Sequence, residues 1–224
     1  MSTCRVHPPG PRPDDGLLAR ARALPTSILS DALARTGGVT GVLPVPGGRW
    51  PRVAGPALTV RTRPGDNLVV HRALDLAAPG DVLVVDGGGA LDRAVLGEIM
   101  ARYAAARGLA ALVVDGAVRD VEGLAAGTLP VFARGVTHVG PYKDGPGEVG
   151  GPVQAGGTVV RAGDVVVGDA DGVVVVPHER AAEVLADGEG LLRAEEAVFA
   201  DIAAGTLDRS WVTAALTEVR VTAP

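Results

Sequence analysis

A chain of 224 residues that is 47% hydrophobic and 21% charged can bury a full core, and one domain accounts for its length. A formal net charge of −5 argues against the broad basic footprint of a nucleic-acid or anionic-membrane binder. No stretch reaches the roughly 18 uninterrupted apolar residues of a membrane helix, and the single cysteine, Cys4, excludes a disulfide framework within the chain. Alanine, valine and glycine dominate while aromatics are only 3%, a mixture that suits an α/β fold with small side chains between close-packed layers.

The first residues, MSTCRVHPPGPRPDDG, lack the apolar segment of a secretory signal, so the cytoplasm is the expected compartment. Pro8, Pro9, Pro11 and Pro13 predict an extended, flexible arm over 1–16. LLARARALPTSILSDALART predicts two helices, one started by Asp14-Asp15 and one restarted at Pro25 with Thr26 or Ser27, ending at Gly37-Gly38. Alternation in PRVAGPALTVRTR predicts a half-buried strand over 51–63, with a further strand near Leu68 to Val70.

The most legible unit follows. GDVLVVDGGG is a turn, a continuous apolar strand and a glycine-rich break, and a helix then places Met100, Tyr103, Ala104 and Arg107 on neighbouring turns before Gly108 ends it. LAALVVDG is another buried strand, so strand, helix and strand imply a parallel crossover. LPVFARGVTHVG reads as two short strands, PYKDGPGEVGGPVQAGG as loop, and TVVRAGDVVVGDADGVVVVPHE as successive strands turning at 162–164 and 169–172. The segment ERAAEVLADGEGLLRAEEAVFADIAAG is helical with an interruption expected at Gly188-Glu189-Gly190, and a short helix is expected through WVTAALTEV.

Asp86-Gly87-Gly88-Gly89 fails as a dinucleotide or methyl-donor loop, because G-x-G-x-x-G would need glycine where the chain has Asp92. Gly97-Glu98-Ile99-Met100 sits where a helix begins, and free helix-start N–H groups could hold a small carboxylate; a plain glycine-initiated helix is the alternative. Arg119-Asp120 follows a strand end, where parallel sheets place ligand crevices. Asp120 would suit Mg²⁺ or Mn²⁺ and Arg119 a developing enolate oxygen, while a surface ion pair is the reading that the local sequence leaves open. His7, His71, His138 and His178 are too widely spaced for a zinc signature and are expected to be structural. Lys143, the only lysine, falls in the expected loop, which disfavours Schiff-base chemistry. Arg72, Arg93, Arg134 and Lys143 are each candidates for a distal carboxylate, and spacing does not choose among them.

The run from Ser30-Asp31-Ala32-Leu33 through GDVLVVDGGG, GEIMARYAAARG, VVDGAVRD, PVFARGVTHVGPYK and GDVVVGDADGVVVVP resembles the RraA-like family. Within it the chain is similar to 4-hydroxy-4-methyl-2-oxoglutarate/4-carboxy-4-hydroxy-2-oxoadipate aldolases, over roughly residues 17–205. The resemblance implies a swivelling β/β/α domain, an α/β fold, assembled as a homotrimer or homohexamer, with 206–224 as a C-terminal extension. It implies a divalent metal, Mg²⁺ or Mn²⁺, and cleavage of a small 4-hydroxy-2-oxo acid to pyruvate, with decarboxylation of oxaloacetate as a side activity. The family's acidic-x20-Arg-Asp pattern falls on Glu98, Arg119 and Asp120.

By that resemblance Asp120 ligates the metal directly, and Gly97, Glu98, Ile99 and Met100 hold the pyruvate carboxylate by their backbone. Arg119 contacts the keto or enolate oxygen. Glu98 and Glu195 meet the metal's waters, Glu195 from a neighbouring subunit with Glu196 as its alternative. The resemblance also allows a rival, a regulator that binds and inhibits ribonuclease E without catalysis; the aspartate after Arg119 favours the enzyme.

Overall fold

Valine-rich runs bounded by glycine frame the molecule, and a computed structural model describes residues 1–48 and 51–218. The strands are β1 (Cys4–Val6), β2 (Leu43–Pro44), β3 (Val53–Thr62), β4 (Val82–Asp86), β5 (Ala94–Leu96), β6 (Ala111–Val118), β7 (Val131–Val136), β8 (Gly147–Val149), β9 (Val153–Ala155), β10 (Thr158–Val160), β11 (Val165–Asp169) and β12 (Gly172–Val176). The helices are α1 (Asp15–Ala23), α2 (Thr26–Ala32), α3 (Leu68–Leu76), α4 (Glu98–Ala106), α5 (Val121–Ala126), α6 (Ala181–Ala204) and α7 (Ser210–Ala215). No helix among the described residues is long and apolar enough to cross a membrane.

The main sheet runs β1-β8-β3-β4-β6-β7-β2, with β3, β4, β6 and β7 mutually parallel. Such a sheet is covered on both faces, so its strands read as continuous apolar runs. β6 is buried along its whole length. β3 is buried at most positions rather than half-buried, because its first residues also pair with β11 and its last with β8. One face packs on α3, α4 and α5 through Leu74, Leu83, Met100, Leu112 and Leu124. The other meets β9 to β12 around Phe132, and α1, α2 and α6 close over β11 and β12. The α/β fold expected from the sequence is what the chain forms.

Several boundaries differ from expectation for identifiable reasons. Leu68 to Val70 is the first turn of α3 and no strand: the Asp66 carboxylate accepts from the Leu68 N–H at 2.9 Å and sets a helix entry. α6 is unbroken at Gly188, where a Cβ would stand 3.0 Å from Leu24 Cδ1, so the glycine serves close helix packing. β8 and β9 lie within the stretch read as loop, and the second strand expected in LPVFARGVTHVG is absent beyond β7. The proline-rich arm is extended but not free, since Cys4–Val6 pairs in parallel with Gly147–Val149 and Arg12 reaches Asp81 at 2.6 Å. α2 does begin after Pro25, and its cap comes from afar: Asp169 accepts from Thr26 N at 2.9 Å and Thr26 Oγ1 at 2.6 Å. The C-terminal segment carries α7, and Val219, the end of the helix expected there, lies outside the described residues.

Candidate active site

β6 carries the chain to Arg119 and Asp120 at the carboxyl edge of the sheet, and β5 delivers Gly97 and the start of α4 beside them. The Arg119 N–H donates to Leu96 O at 3.0 Å, which ties the two segments together. Asp120 is left-handed, at φ 59°, and its Oδ2 accepts from the Glu98 N–H at 3.2 Å. Gly97 has ordinary extended backbone but no room for a side chain: a Cβ would fall 2.3 Å from Asp120 Oδ2 and 2.9 Å from Arg119 Cγ.

The Arg119 guanidinium makes only a 3.6 Å ion pair with Asp120, and among the described residues its N–H groups have no hydrogen-bond acceptor. Asp120 Oδ1 is likewise without a partner among them. The N–H groups of Ile99 and Met100, in the first turn of α4, lie where no intrahelical acceptor exists and donate to no other described partner. Fixed cation, free carboxylate oxygen and free helix-start donors thus converge at one place.

The cavity they face has a volume of about 80 Å³ and is lined also by Asn67, His71, Pro141 and Lys143. Sites enclosing cofactor-sized ligands run to roughly 300–1,000 Å³, so a small acid suits this one and a dinucleotide does not. Lys143 Nζ lies 3.2 Å from Asn67 Oδ1 and 3.3 Å from His71 Nε2. Burial, then the neighbouring Lys143 cation, lower the His71 pKa from its usual value, which keeps the ring neutral near pH 7.

Asp66, fully buried, fixes this wall. Its Oδ2 accepts from the N–H groups of Asp144 and Gly145 at 3.0 and 2.7 Å and from Arg63 at 2.9 Å, binding the 141–146 segment to the entry of α3. Burial alone would raise the Asp66 pKa, but the N–H groups of Leu68, Asp144 and Gly145, with Arg63, outweigh it and hold the carboxyl below its usual value. Asp66→Asn turns an NH₂ toward these donors and should cost about 2 kcal/mol, lowering Tm by about 4–8 °C. A carboxyl with a lowered folded-state pKa contributes stability above its unfolded-state value, near 3.8, and loses it as pH falls through the folded-state value. The Tm gap between the wild type and this variant should therefore narrow only below about pH 4, which thermal melts across pH will show.

The expected residues do not all meet. Gly97, Ile99, Met100, Arg119 and Asp120 line the cavity. Glu98 contributes its N–H, but its carboxylate turns away to Arg102, at 2.6 Å, and faces a groove between α4 and α5, so its reading as a holder of metal waters is not met in this placement. Glu195 and Glu196 lie on the exposed second half of α6, with no hydrogen bond or ion pair among the described residues. Among those residues no three His, Cys, Asp or Glu side chains gather as a metal cluster. The free Asp120 oxygen on this cavity is a donor that Mg²⁺ could take, since that ion keeps several waters and needs few protein ligands. Asn67 and His71 were not expected here, whereas Lys143 was one of four candidates for a distal carboxylate and, of those four, is the one that lines the cavity.

A family model described as RraA-like: Aldolase/RraA matches residues 26–175. The chain belongs to the RraA-like family. Among curated relatives of this RraA-like chain is a protein of Halalkalibacterium halodurans named putative 4-hydroxy-4-methyl-2-oxoglutarate aldolase, 40% identical over 168 residues, covering 75% of this chain and 80% of that one. A Thermus thermophilus protein named 4-hydroxy-4-methyl-2-oxoglutarate aldolase is 40% identical over 132 residues, covering 59% of this chain and 79% of that one. The solved structure of Streptomyces coelicolor RraAS2, described as an unusual member of the RNase ES inhibitor RraA protein family, superposes with a TM-score of 0.75 at 30% identity, covering 86% of this chain and 100% of that one.

Proposed function

We propose that this RraA-like protein is a divalent-metal-dependent class II aldolase that cleaves 4-hydroxy-4-methyl-2-oxoglutarate or a similar 4-hydroxy-2-oxo acid to pyruvate. The observation that carries this reading is the convergence of free Arg119 donors, a free Asp120 oxygen and the free N–H groups of Ile99 and Met100 on one small cavity. The names of the relatives support it.

The helix-start N–H groups receive the substrate's 1-carboxylate, and Arg119 faces its 2-oxo oxygen. When the bond between C3 and C4 breaks, its electron pair passes to that oxygen as an enolate while the 4-hydroxyl gives its proton to water and becomes a carbonyl, and protonation of the enolate at C3 by water then yields pyruvate. Arg119 lowers the barrier because its guanidinium is already in place where the charge appears. Asp120 would hold the metal, with its backbone bond to Glu98 fixing the carboxylate's direction. Bound there, a divalent cation supplies Lewis acidity toward the oxo oxygen. Loss of CO₂ from oxaloacetate yields the same enolate, so decarboxylation is an expected side activity.

Glu195 would act from a neighbouring copy in a trimer or hexamer. Support for an assembly comes from the apolar residues left exposed on that half of α6 and beyond it: Val198, Phe199, Ile202 and Trp211. The rival reading, a non-catalytic regulator of ribonuclease E, rests on the similarity to RraAS2. It gives Asp120 no metal to hold.

Pyruvate release from 4-hydroxy-4-methyl-2-oxoglutarate decides between them. Chelator should abolish it and Mg²⁺ or Mn²⁺ should restore it. Because Lys143 lines the cavity after all, borohydride added with pyruvate is the control for Schiff-base chemistry. Full activity in chelator, or a trapped adduct on Lys143, sinks the metal-dependent mechanism.

A further inference from the structure

The stretch from Asp144 to Pro152 is costly to order. Gly145, Gly147, Gly150 and Gly151 fall within it, and glycine gives up more backbone freedom on folding than any other residue. It begins at the cavity wall, next to Pro141 and Lys143, where the Asp66 carboxylate takes the N–H groups of Asp144 and Gly145. It continues as β8, three residues that pair along one side with β3, Thr62 against Gly147 and Val60 against Val149. The N-terminal arm covers the other side.

Ser2 Oγ donates to Asp144 O, the Gly147 N–H donates to Thr3 O at 3.0 Å, Cys4–Val6 pairs in parallel with Gly147–Val149, and the His7 N–H donates to Val149 O at 2.9 Å. His7 Nε2 also lies 3.0 Å from Glu148 Oε2, whose other oxygen takes Arg61 of β3 at 2.9 Å, so one carboxylate joins arm, β8 and β3. Among the described residues, none from 1–13 lines the cavity.

The arm is built to dock in one place. Pro8 has no N–H and confines His7 to extended backbone, so the strand pairing stops there. Pro8, Pro9, Pro11 and Pro13 also stiffen the undocked arm and so reduce the freedom lost when it docks. Beyond the strand the fit depends on glycine: a Cβ on Gly10 would overlap Ala162 O, and one on Gly163, at φ 90°, would overlap Pro11 O. Arg12 then donates to Asp81 Oδ1 at 2.6 Å and to Pro79 O at 3.0 Å. Residues 2–7 are thus fastened beside the cavity wall, and residues 10–12 at the amino edge of the parallel strands.

We propose that the N-terminal arm is a strap that sets how much of the protein has its cavity wall closed, so that ligand affinity is controlled by residues that touch neither substrate nor metal. The arm lies outside the 26–175 segment matched by the family model. The proposal rests on the aldolase reading for its ligand, pyruvate. With the arm released, β8 becomes a three-residue edge strand and the glycine-rich stretch opens locally; a ligand must then select the closed fraction, and its apparent affinity falls by that fraction. Saturating substrate selects the same closed form, so kcat is kept.

The full-length double variant Gly10→Val/Arg12→Ala tests this, because it removes both distant fastenings and leaves every group at the cavity in place. Hydrogen exchange at residues 144–149 should speed up, which reports the release. Titration with pyruvate at saturating Mg²⁺ should show binding weaker by about tenfold, the loss expected when the wall is closed about one time in ten. KM for the 4-hydroxy-2-oxo acid should rise by the same factor while kcat stays within about twofold of the wild type. Each single variant should lie between the two proteins, and Arg12→Lys, which keeps a cation at Asp81, should stay close to the wild type. Faster exchange with unchanged pyruvate affinity and KM overturns the proposal, and so does a fall confined to kcat. Unchanged exchange with unchanged affinity overturns it as well, since these fastenings would then hold nothing. If pyruvate affinity follows the arm while no 4-hydroxy-2-oxo acid is cleaved, the aldolase reading fails and the strap stands; pyruvate bound by neither protein overturns both.

Discussion

Arg119→Lys is expected to lower kcat for pyruvate release by about two to three orders of magnitude, the usual loss when a preorganised donor to a developing oxyanion is removed. The charge survives the change but the fork does not. Arg119 reaches the site from a backbone held by Leu96 O, with guanidinium donors that have no acceptor among the described residues, so they are free for an oxygen that becomes negative only as the bond breaks. A lysine there is a shorter point charge. It could still attract an anionic substrate, so KM should move far less than kcat, and that split is the signature of stabilisation confined to the transition state. Near-normal kcat in the lysine variant would assign Arg119 to structure.

Asp120→Asn should eliminate turnover, a loss of more than about a thousandfold if the metal is lost with the charge. Asparagine is the informative replacement because Asp120 is left-handed, and alanine would add roughly 1–2 kcal/mol of backbone strain to the missing charge. Asparagine tolerates that conformation and can still accept from the Glu98 N–H. Its thermal stability should stay within a few degrees of the wild type, while calorimetric titration with Mg²⁺ should show no binding. Dissociating this protein together with Glu195→Ala and reassembling them should recover part of the activity, since some interfaces would join an intact Asp120 to an intact Glu195. Mixed assemblies that form and stay inactive would remove Glu195 from the site, and Asp120→Asn retaining metal and turnover would remove Asp120.

The parallel core was legible because a strand buried on both faces needs no alternation: VLVVD and ALVVDG stand out as continuous apolar runs between glycines. Glu98, Arg119 and Asp120 were legible as a spaced pattern, yet only their backbone and the last two side chains meet. Where the Glu98 carboxylate points depends on Arg102, one helical turn away, which no pattern of catalytic spacing includes. Asn67, His71 and Lys143 could not be paired from sequence. The segment that carries Lys143 has no periodicity, and its position comes from backbone bonds to Gly65 and Asn67 and from a buried aspartate. The Leu68 strand failed for the same reason, since Asp66 looks like any polar turn residue until its partners are known.

The clamp at Asp66 also bears on when the protein becomes competent. The cavity is walled by 67–71, 96–100, 119–120 and 141–143, stretches that meet only through the parallel pairing of β3, β4 and β6 and the closure of the 141–146 segment onto α3. Pairings between distant parts of a chain form slowly. A collapsed intermediate with its helices in place would hold no complete set of donors, so a newly made chain stays chemically silent until its last long-range contact is made.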